Sequence, residues 1–217
     1  LPLYGGGRAD WSFDGFALRS RSARSPKDRN EERKRAYAAL KEVERLRSTG
    51  PAGAALPEVD SAAAAAAEAG DELLAEWVER TRGTVLVAAR RLEEAEDVFA
   101  AVLARTSMTS NVAFEAGRAF HLAGDLARAV AWYRRGFAGT SARLMIGRHP
   151  RDLVEGIVLA LGEERRWGDV LAECDRFEAG YADEPHLVAW YRAWALWRSG
   201  RPAEPPVLEP GDPDAYR

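Results

Sequence analysis

Several features that would assign a protein to a functional class are scarce or missing in this 217-residue chain. Cys174 is the only cysteine, which excludes an intrachain disulfide and a zinc site built from cysteines. No apolar run approaches the roughly 20 residues that a membrane-spanning helix needs, so the sequence predicts a soluble protein without a transmembrane segment. The formal net charge is −3, without the basic excess typical of proteins that bind nucleic acid. We therefore expect no nucleic acid among its partners.

Enzyme motifs are missing as well. The sequence contains no GxxxxGK(S/T), HExxH or GxSxG motif, and its three histidines lie too far apart for a recognised pattern of metal ligands. Gly5 to Gly7 follow no strand signal and open no helix, so they do not indicate a phosphate-binding loop. We expect no catalysis, no cofactor and no metal ion.

The composition carries two hints about origin. Arginine supplies 28 of the 31 basic residues, a bias that together with the many alanines indicates a GC-rich, bacterial genome. The chain begins at Leu1 instead of Met, as in the mature form of an exported, periplasmic protein or in a fragment. The sequence leaves the compartment and the oligomeric state open.

Four regions follow one another along the chain. Residues 1–25 contain a glycine triplet and no sustained period, which predicts an extended N-terminal arm. Residues 26–70 predict two helices outside the repeat, joined by a linker at 51–56; the first carries Tyr37, Leu40, Val43 and Leu46 near one face. Residues 71–201 predict consecutive helices at 72–89, 92–105, 110–123, 126–138, 151–163, 167–180 and 184–199. Residues 202–217 hold five prolines, which predicts a proline-rich C-terminal tail that is not one helix.

The helical region repeats itself with a period of 34 residues. Ala95 lies 34 residues before Ala129, and the segments 89–99 and 123–133 align around them. The second unit combines small and aromatic residues at Gly117, Phe120, Ala129 and Tyr133, and the first repeats them as Gly83, Leu86, Ala95 and Phe99. Small residues let two helices approach, and the larger side chains fill the space beside the contact. With this period and these residues, the chain resembles the tetratricopeptide-repeat (TPR) family.

The resemblance implies an all-α fold, in which residues 71–201 form a right-handed solenoid of antiparallel helix hairpins. An insertion at 140–150 precedes a degenerate third unit. The resemblance also implies a concave surface, formed by the first helix of each hairpin, that binds protein segments. Four candidate contacts on it are Arg80, Phe114, Arg118 and His121, for which plain packing or solvation is the alternative. Thr84, Arg118 and Leu159 interrupt the family's clamp for a C-terminal carboxylate, so that clamp is not expected.

Two aromatic groups are further candidates for partner contacts. Trp190, Trp194 and Trp197 fall on one face of the last helix, and Ala189, Ala193 and Leu196 form a second apolar face. One face is expected to pack on the preceding hairpin, and the other needs a cover such as Val207-Leu208 of the tail or another subunit. Core packing is the alternative for the tryptophans. The arm residues Tyr4, Trp11, Phe13 and Phe16 are expected to anchor the arm on a partner or on the helices.

Two functions fit these features. One is a non-catalytic, TPR-like protein–protein interaction scaffold or an assembly subunit of a larger complex, with one or more protein chains as partners. The other is a regulatory or substrate-recruiting repeat module of a larger enzyme or signalling protein.

Overall fold

The structure is a computed structural model that describes residues 26–138, 150–180 and 186–202. Within these ranges every regular element is helical, which confirms the all-α prediction for this part of the chain. The elements are α1 (Pro26–Thr49), a 3-10 turn (Ala52–Ala55), α2 (Leu56–Ala69), α3 (Glu72–Ala88), α4 (Leu92–Leu103), α5 (Thr109–Leu122), α6 (Leu126–Ala138), α7 (Pro150–Glu163), α8 (Trp167–Gly180) and α9 (His186–Arg198). None of these helices is long and apolar enough to cross a membrane.

The predicted helix boundaries agree closely with the observed ones. Each of the seven helices predicted after residue 71 begins and ends within two residues of its predicted bounds. The predicted linker at 51–56 instead contains the 3-10 turn, and its last residue, Leu56, already begins α2. The predictions for the arm, for most of the insertion and for the tail beyond Pro202 fall outside the described residues.

One turn geometry closes α3, α5, α7 and α9. The residues that follow these helices have left-handed φ values: Arg90 (63°), Gly124 (78°), Arg165 (57°) and Gly200 (73°). In each case the next N–H donates to the carbonyl five residues earlier, at 2.9 Å, as from Arg91 to Leu86 and from Asp125 to Phe120. This bonding is the Schellman motif, which satisfies carbonyls left over at a helix end. The chain therefore leaves each of these helices in the same way.

Helix contacts follow the order of the chain. Each helix packs on its neighbours in sequence, because connections such as 89–91 and 123–125 are too short to separate them. In addition α1 contacts α3, α3 contacts α5, α5 contacts α7 and α7 contacts α9. The odd-numbered helices therefore form one continuous row.

Charged side chains link the even-numbered helices. Arg128 of α6 donates to Glu93 (2.8 Å) and Glu96 (3.2 Å) of α4. Arg134 of α6 pairs with Glu173 of α8, a buried carboxylate that also accepts from Arg176 at 2.5 Å. Within the described ranges, α4, α6 and α8 have no close backbone contact with one another. Long side chains thus bridge the even-numbered helices, whereas the odd-numbered helices contact one another directly.

The core consists of two clusters of buried apolar side chains. The first lies among α1, α2 and α3, around Val43, Val59 and Val78. The second extends from the end of α3 to α9 and contains Phe99 and Trp132. On α3 the clusters meet, since Val85 belongs to the first and Leu86 to the second. This helix therefore joins the N-terminal hairpin to the rest of the array.

The predicted face of α1 is confirmed at Leu40 and Val43 but is wrong at Tyr37, and the predicted faces of α9 are wrong. Tyr37 is 51% exposed and packs on Trp77 at a ring distance of 5.8 Å, while Ala36 and Ala39 turn inward. The small alanines of α2 allow α1 to approach closely, which favours alanine over tyrosine at the contact. On α9 neither predicted face is the buried one, because Val188, Tyr191 and Ala195 fill that place.

Candidate functional site

A groove of about 510 Å³ lies where the C-terminal halves of α1, α3 and α5 meet. Its apolar lining includes Val87 from α3 with Ala119 and Leu122 from α5. Leu122 is 78% exposed, although leucine is usually found inside proteins. The turn after α3 holds one end of the groove, since Arg90 Nη1 donates to the Ala123 carbonyl at 2.5 Å. The exposed Leu122 side chain beside charged residues makes this groove the candidate site.

Most of the charged side chains around this groove form ion pairs within the protein. Glu44 and Arg47 of α1 pair with each other at 3.2 Å, and Glu115 pairs with Arg80 at 3.3 Å. Arg118 is exposed, lines the groove and makes no hydrogen bond or ion pair with any described residue. Of the charged side chains in the groove, Arg118 is therefore the one most available to a partner.

The other three predicted contacts on α3 and α5 join helices to one another. Arg80 is mostly buried in its pair with Glu115, and its Nε is buried without a hydrogen-bond partner in the described part of the chain. Phe114 is half-buried, with its ring 5.9 Å from that of Tyr133. His121 Nε2 lies 2.9 Å from Glu163 Oε1 of α7. The structure thus brings Arg118 to the groove and uses Arg80, Phe114 and His121 between helices.

The three tryptophans of α9 have different surroundings. Trp190 and Trp197 are 50% and 66% exposed. Trp194 is partly buried: its ring lies 5.0 Å from that of Trp167 and rests against Gly162 of α7. Trp190 stacks on Trp194 with 6.2 Å between ring centroids. Core packing therefore accounts for Trp194, while Trp190 and Trp197 keep an open aromatic surface in the described structure.

Sequence analysis missed Arg90, Leu122 and Trp167. Arg90 aligns with Gly124 in the 34-residue period, a signal that would have predicted its left-handed turn. Leu122 carries no such signal, because an exposed leucine and a core leucine look alike in a helical pattern. The arm residues Tyr4, Trp11, Phe13 and Phe16, and Val207-Leu208 of the tail, lie outside the described residues.

The described part of the chain contains no cluster of His, Cys, Asp or Glu that could hold a metal ion. Cys174 is buried, and this burial raises the pKa of its thiol to about 12. A thiol that stays protonated is a poor nucleophile and a poor metal ligand.

Comparison with known proteins gives no relative. No protein-family model matches the chain, and searches of curated proteins and of solved structures find no match.

Proposed function

We propose that the chain is a non-catalytic, TPR-like scaffold that binds a segment of a protein partner in the groove between α1, α3 and α5. The observation that carries the proposal is the groove itself, which combines exposed Leu122 with the unpaired cation of Arg118. Arginine is one of the residue types that supply much of the binding energy at protein interfaces.

The TPR-like part of the proposal rests on contacts that recur at the sequence period. A methyl group on Gly83 would lie 2.6 Å from the ring of Phe99, and one on Gly117 would lie 2.6 Å from the ring of Tyr133. The second glycine–aromatic pair lies 34 residues after the first, and Gly124 lies 34 residues after Arg90 in the equivalent turn. Equivalent residues thus make equivalent contacts in successive hairpins, as repeat architecture requires.

From these contacts we infer a solenoid with the odd-numbered helices inside, and the resemblance to TPR proteins implies that it is right-handed. The odd-numbered helices touch directly, whereas α4, α6 and α8 are bridged by arginine–glutamate pairs. An array that is narrower on one side curves toward that side, so α3, α5 and α7 would line the concave surface. Two of these helices, α3 and α5, line the groove together with α1.

Site-directed photocrosslinking in the source organism tests the proposal. A photoreactive amino acid at Leu122 should give a covalent adduct with a defined protein, because this side chain is exposed in the groove. The matched control carries the same amino acid at Ala127, an exposed position on α6 outside the groove. Adducts at Leu122 that also require Arg118 would support the proposal. Equal adducts at both positions, or none at Leu122, would contradict it.

A further inference from the structure

The side chain of Tyr133 crosses from α6 to the row of odd-numbered helices. A methyl group on Gly117 of α5 would lie 2.6 Å from ring atoms Cδ1 and Cε1, and one on Gly156 of α7 would lie 2.5 Å from Cζ. Only glycine leaves room for the ring at both places. The ring therefore passes between α5 and α7, with its hydroxyl end beside α7.

The hydroxyl of Tyr133 has no hydrogen-bond partner among the described residues. The residue is 3% exposed, yet its oxygen is not among the fully buried polar atoms that lack a partner, so the oxygen keeps contact with solvent. Buried tyrosine hydroxyls usually find a partner within the protein. This one is held at the end of a fixed ring with its bonding capacity unused.

Packing alone does not require a hydroxyl at this position. Phe99 occupies the equivalent place one period earlier and fills the space beside Gly83 without a polar atom. Phenylalanine at 133 would keep the same ring contacts. Packing of the ring therefore does not account for the oxygen.

Two side chains of opposite charge, Arg118 and Glu155, act electrostatically on the Tyr133 hydroxyl. Arg118 follows Gly117 on α5, and Glu155 precedes Gly156 on α7, so the backbone of each lies next to a glycine that contacts the ring. Neither side chain makes an ion pair or hydrogen bond with a described residue. Burial raises the pKa of Tyr133 to about 12, an effect that nearby Arg118 opposes and Glu155 reinforces. The hydroxyl is consequently protonated at neutral pH and able to donate.

We propose that the Tyr133 hydroxyl, Arg118 and Glu155 form a polar site that binds an uncharged amide group of an extended partner segment. This proposal rests on the function proposed above and names a chemical group that the partner presents. The amide carbonyl accepts from Arg118 and from the Tyr133 hydroxyl, and the amide N–H donates to Glu155. A carboxylate would meet Glu155 with like charge, and an ammonium group would meet Arg118. A neutral group with an acceptor and a donor in one plane satisfies all three side chains.

Peptide selection with a single-atom variant tests this site. A phage library of random 12-residue peptides is selected against the whole chain, and the affinities of the selected peptides are measured by calorimetry. Tyr133→Phe should weaken binding by about three- to tenfold, the effect of one neutral hydrogen bond. Its melting temperature should match that of the parent chain, because the lost oxygen has no partner in the protein. Tyr37→Phe makes the same chemical change on α1 and should leave affinity unchanged.

The identity of the bound group is tested on the selected peptides. Each selected peptide is changed at one group, either by N-methylation of a main-chain amide or by replacement of an Asn or Gln with Asp or Glu. At the bound group, this change should make the parent chain and Tyr133→Phe bind the peptide with equal affinity. Glu155→Gln should weaken the same peptides. Selected peptides that bind the parent chain and Tyr133→Phe equally would overturn the amide site and leave the groove proposal standing. A selection that yields no binding peptide, with no adduct at Leu122, would overturn both.

Discussion

Glycines in these helices have different roles, and the atoms around each one determine which. Gly117 lies against the ring of Tyr133, while Gly168 near the start of α8 has no atom within 4 Å of where a side chain would begin. In open space glycine only weakens a helix, by roughly 1 kcal/mol relative to alanine. Against a ring, glycine is what allows the contact to exist.

Alanine substitutions at these two glycines should therefore have opposite effects. Gly117→Ala forces the ring of Tyr133 to shift and should lower the free energy of unfolding by about 1–3 kcal/mol. Gly168→Ala should leave it unchanged or raise it by up to about 1 kcal/mol. Urea unfolding followed by circular dichroism measures both. If Gly117→Ala left the free energy of unfolding unchanged, the ring of Tyr133 would not be confined between the helices.

At the scale of the helix, termination is the feature that repeats most regularly. The same turn follows α3, α5, α7 and α9, but glycine occupies its left-handed position at only two of the four. Arg90 and Arg165 adopt the same conformation with a side chain, which costs about 1–2 kcal/mol for an ordinary residue. The Arg90 side chain has an offsetting bond to the Ala123 carbonyl, whereas the Arg165 side chain makes no hydrogen bond or ion pair with a described residue.

Arg165→Gly should consequently stabilise the protein. We expect the free energy of unfolding to rise by about 1 kcal/mol, because glycine adopts the left-handed conformation without a steric penalty. Gly124→Ala, the reverse change at the equivalent turn after α5, should lower it by a similar amount. Midpoints of urea unfolding test the pair. A loss of stability in Arg165→Gly would show that the arginine side chain contributes more than its backbone strain costs.

At the scale of the whole molecule, the burial of two acidic groups, the Cys174 thiol and the Tyr133 hydroxyl, makes the protein less stable at alkaline pH. Burial raises the pKa of both Cys174 and Tyr133 to about 12, well above the usual values of about 8.5 and 10. Above about pH 8 the unfolded chain begins to lose the Cys174 proton, and nearer pH 10 the Tyr133 proton, both of which the folded chain retains. Since the folded state then binds more protons, a rise in pH favours unfolding. The stabilising contribution is complete below about pH 8 and is lost between about pH 8 and 12.

Replacing the thiol should reduce this dependence. Cys174→Ala should lose less stability than the parent chain when the pH rises from 8 to 10, because the unfolded state no longer gains from ionising a cysteine. Urea midpoints at pH 7, 8, 9 and 10 measure the two slopes. The parent chain at neutral pH serves as the common reference. Identical slopes for the two proteins would contradict the assignment of this effect to Cys174.

Local signals in the sequence were enough to locate the helices. Apolar spacing and short turn signals located the helices to within two residues. The alignment of Gly83 with Gly117 and of Phe99 with Tyr133 also predicted contacts that the structure contains. These contacts join neighbouring helices of one hairpin, so a period in the sequence is enough to find them.

Contacts between helices far apart in sequence determine which faces are buried and which charged side chains stay unpaired. Tyr37 is exposed because alanines of α2 favour small residues at that contact, and no pattern within α1 contains this information. Arg80 and Arg118 look alike in sequence, but Glu115 from the next odd-numbered helix pairs with Arg80, whereas the Arg118 side chain has no hydrogen bond or ion pair with a described residue. Tyr133 meets Gly156 across a break in the 34-residue period, where the repeat no longer sets the register. The surroundings of these residues depend on contacts with distant segments of the chain and not on the residue types alone.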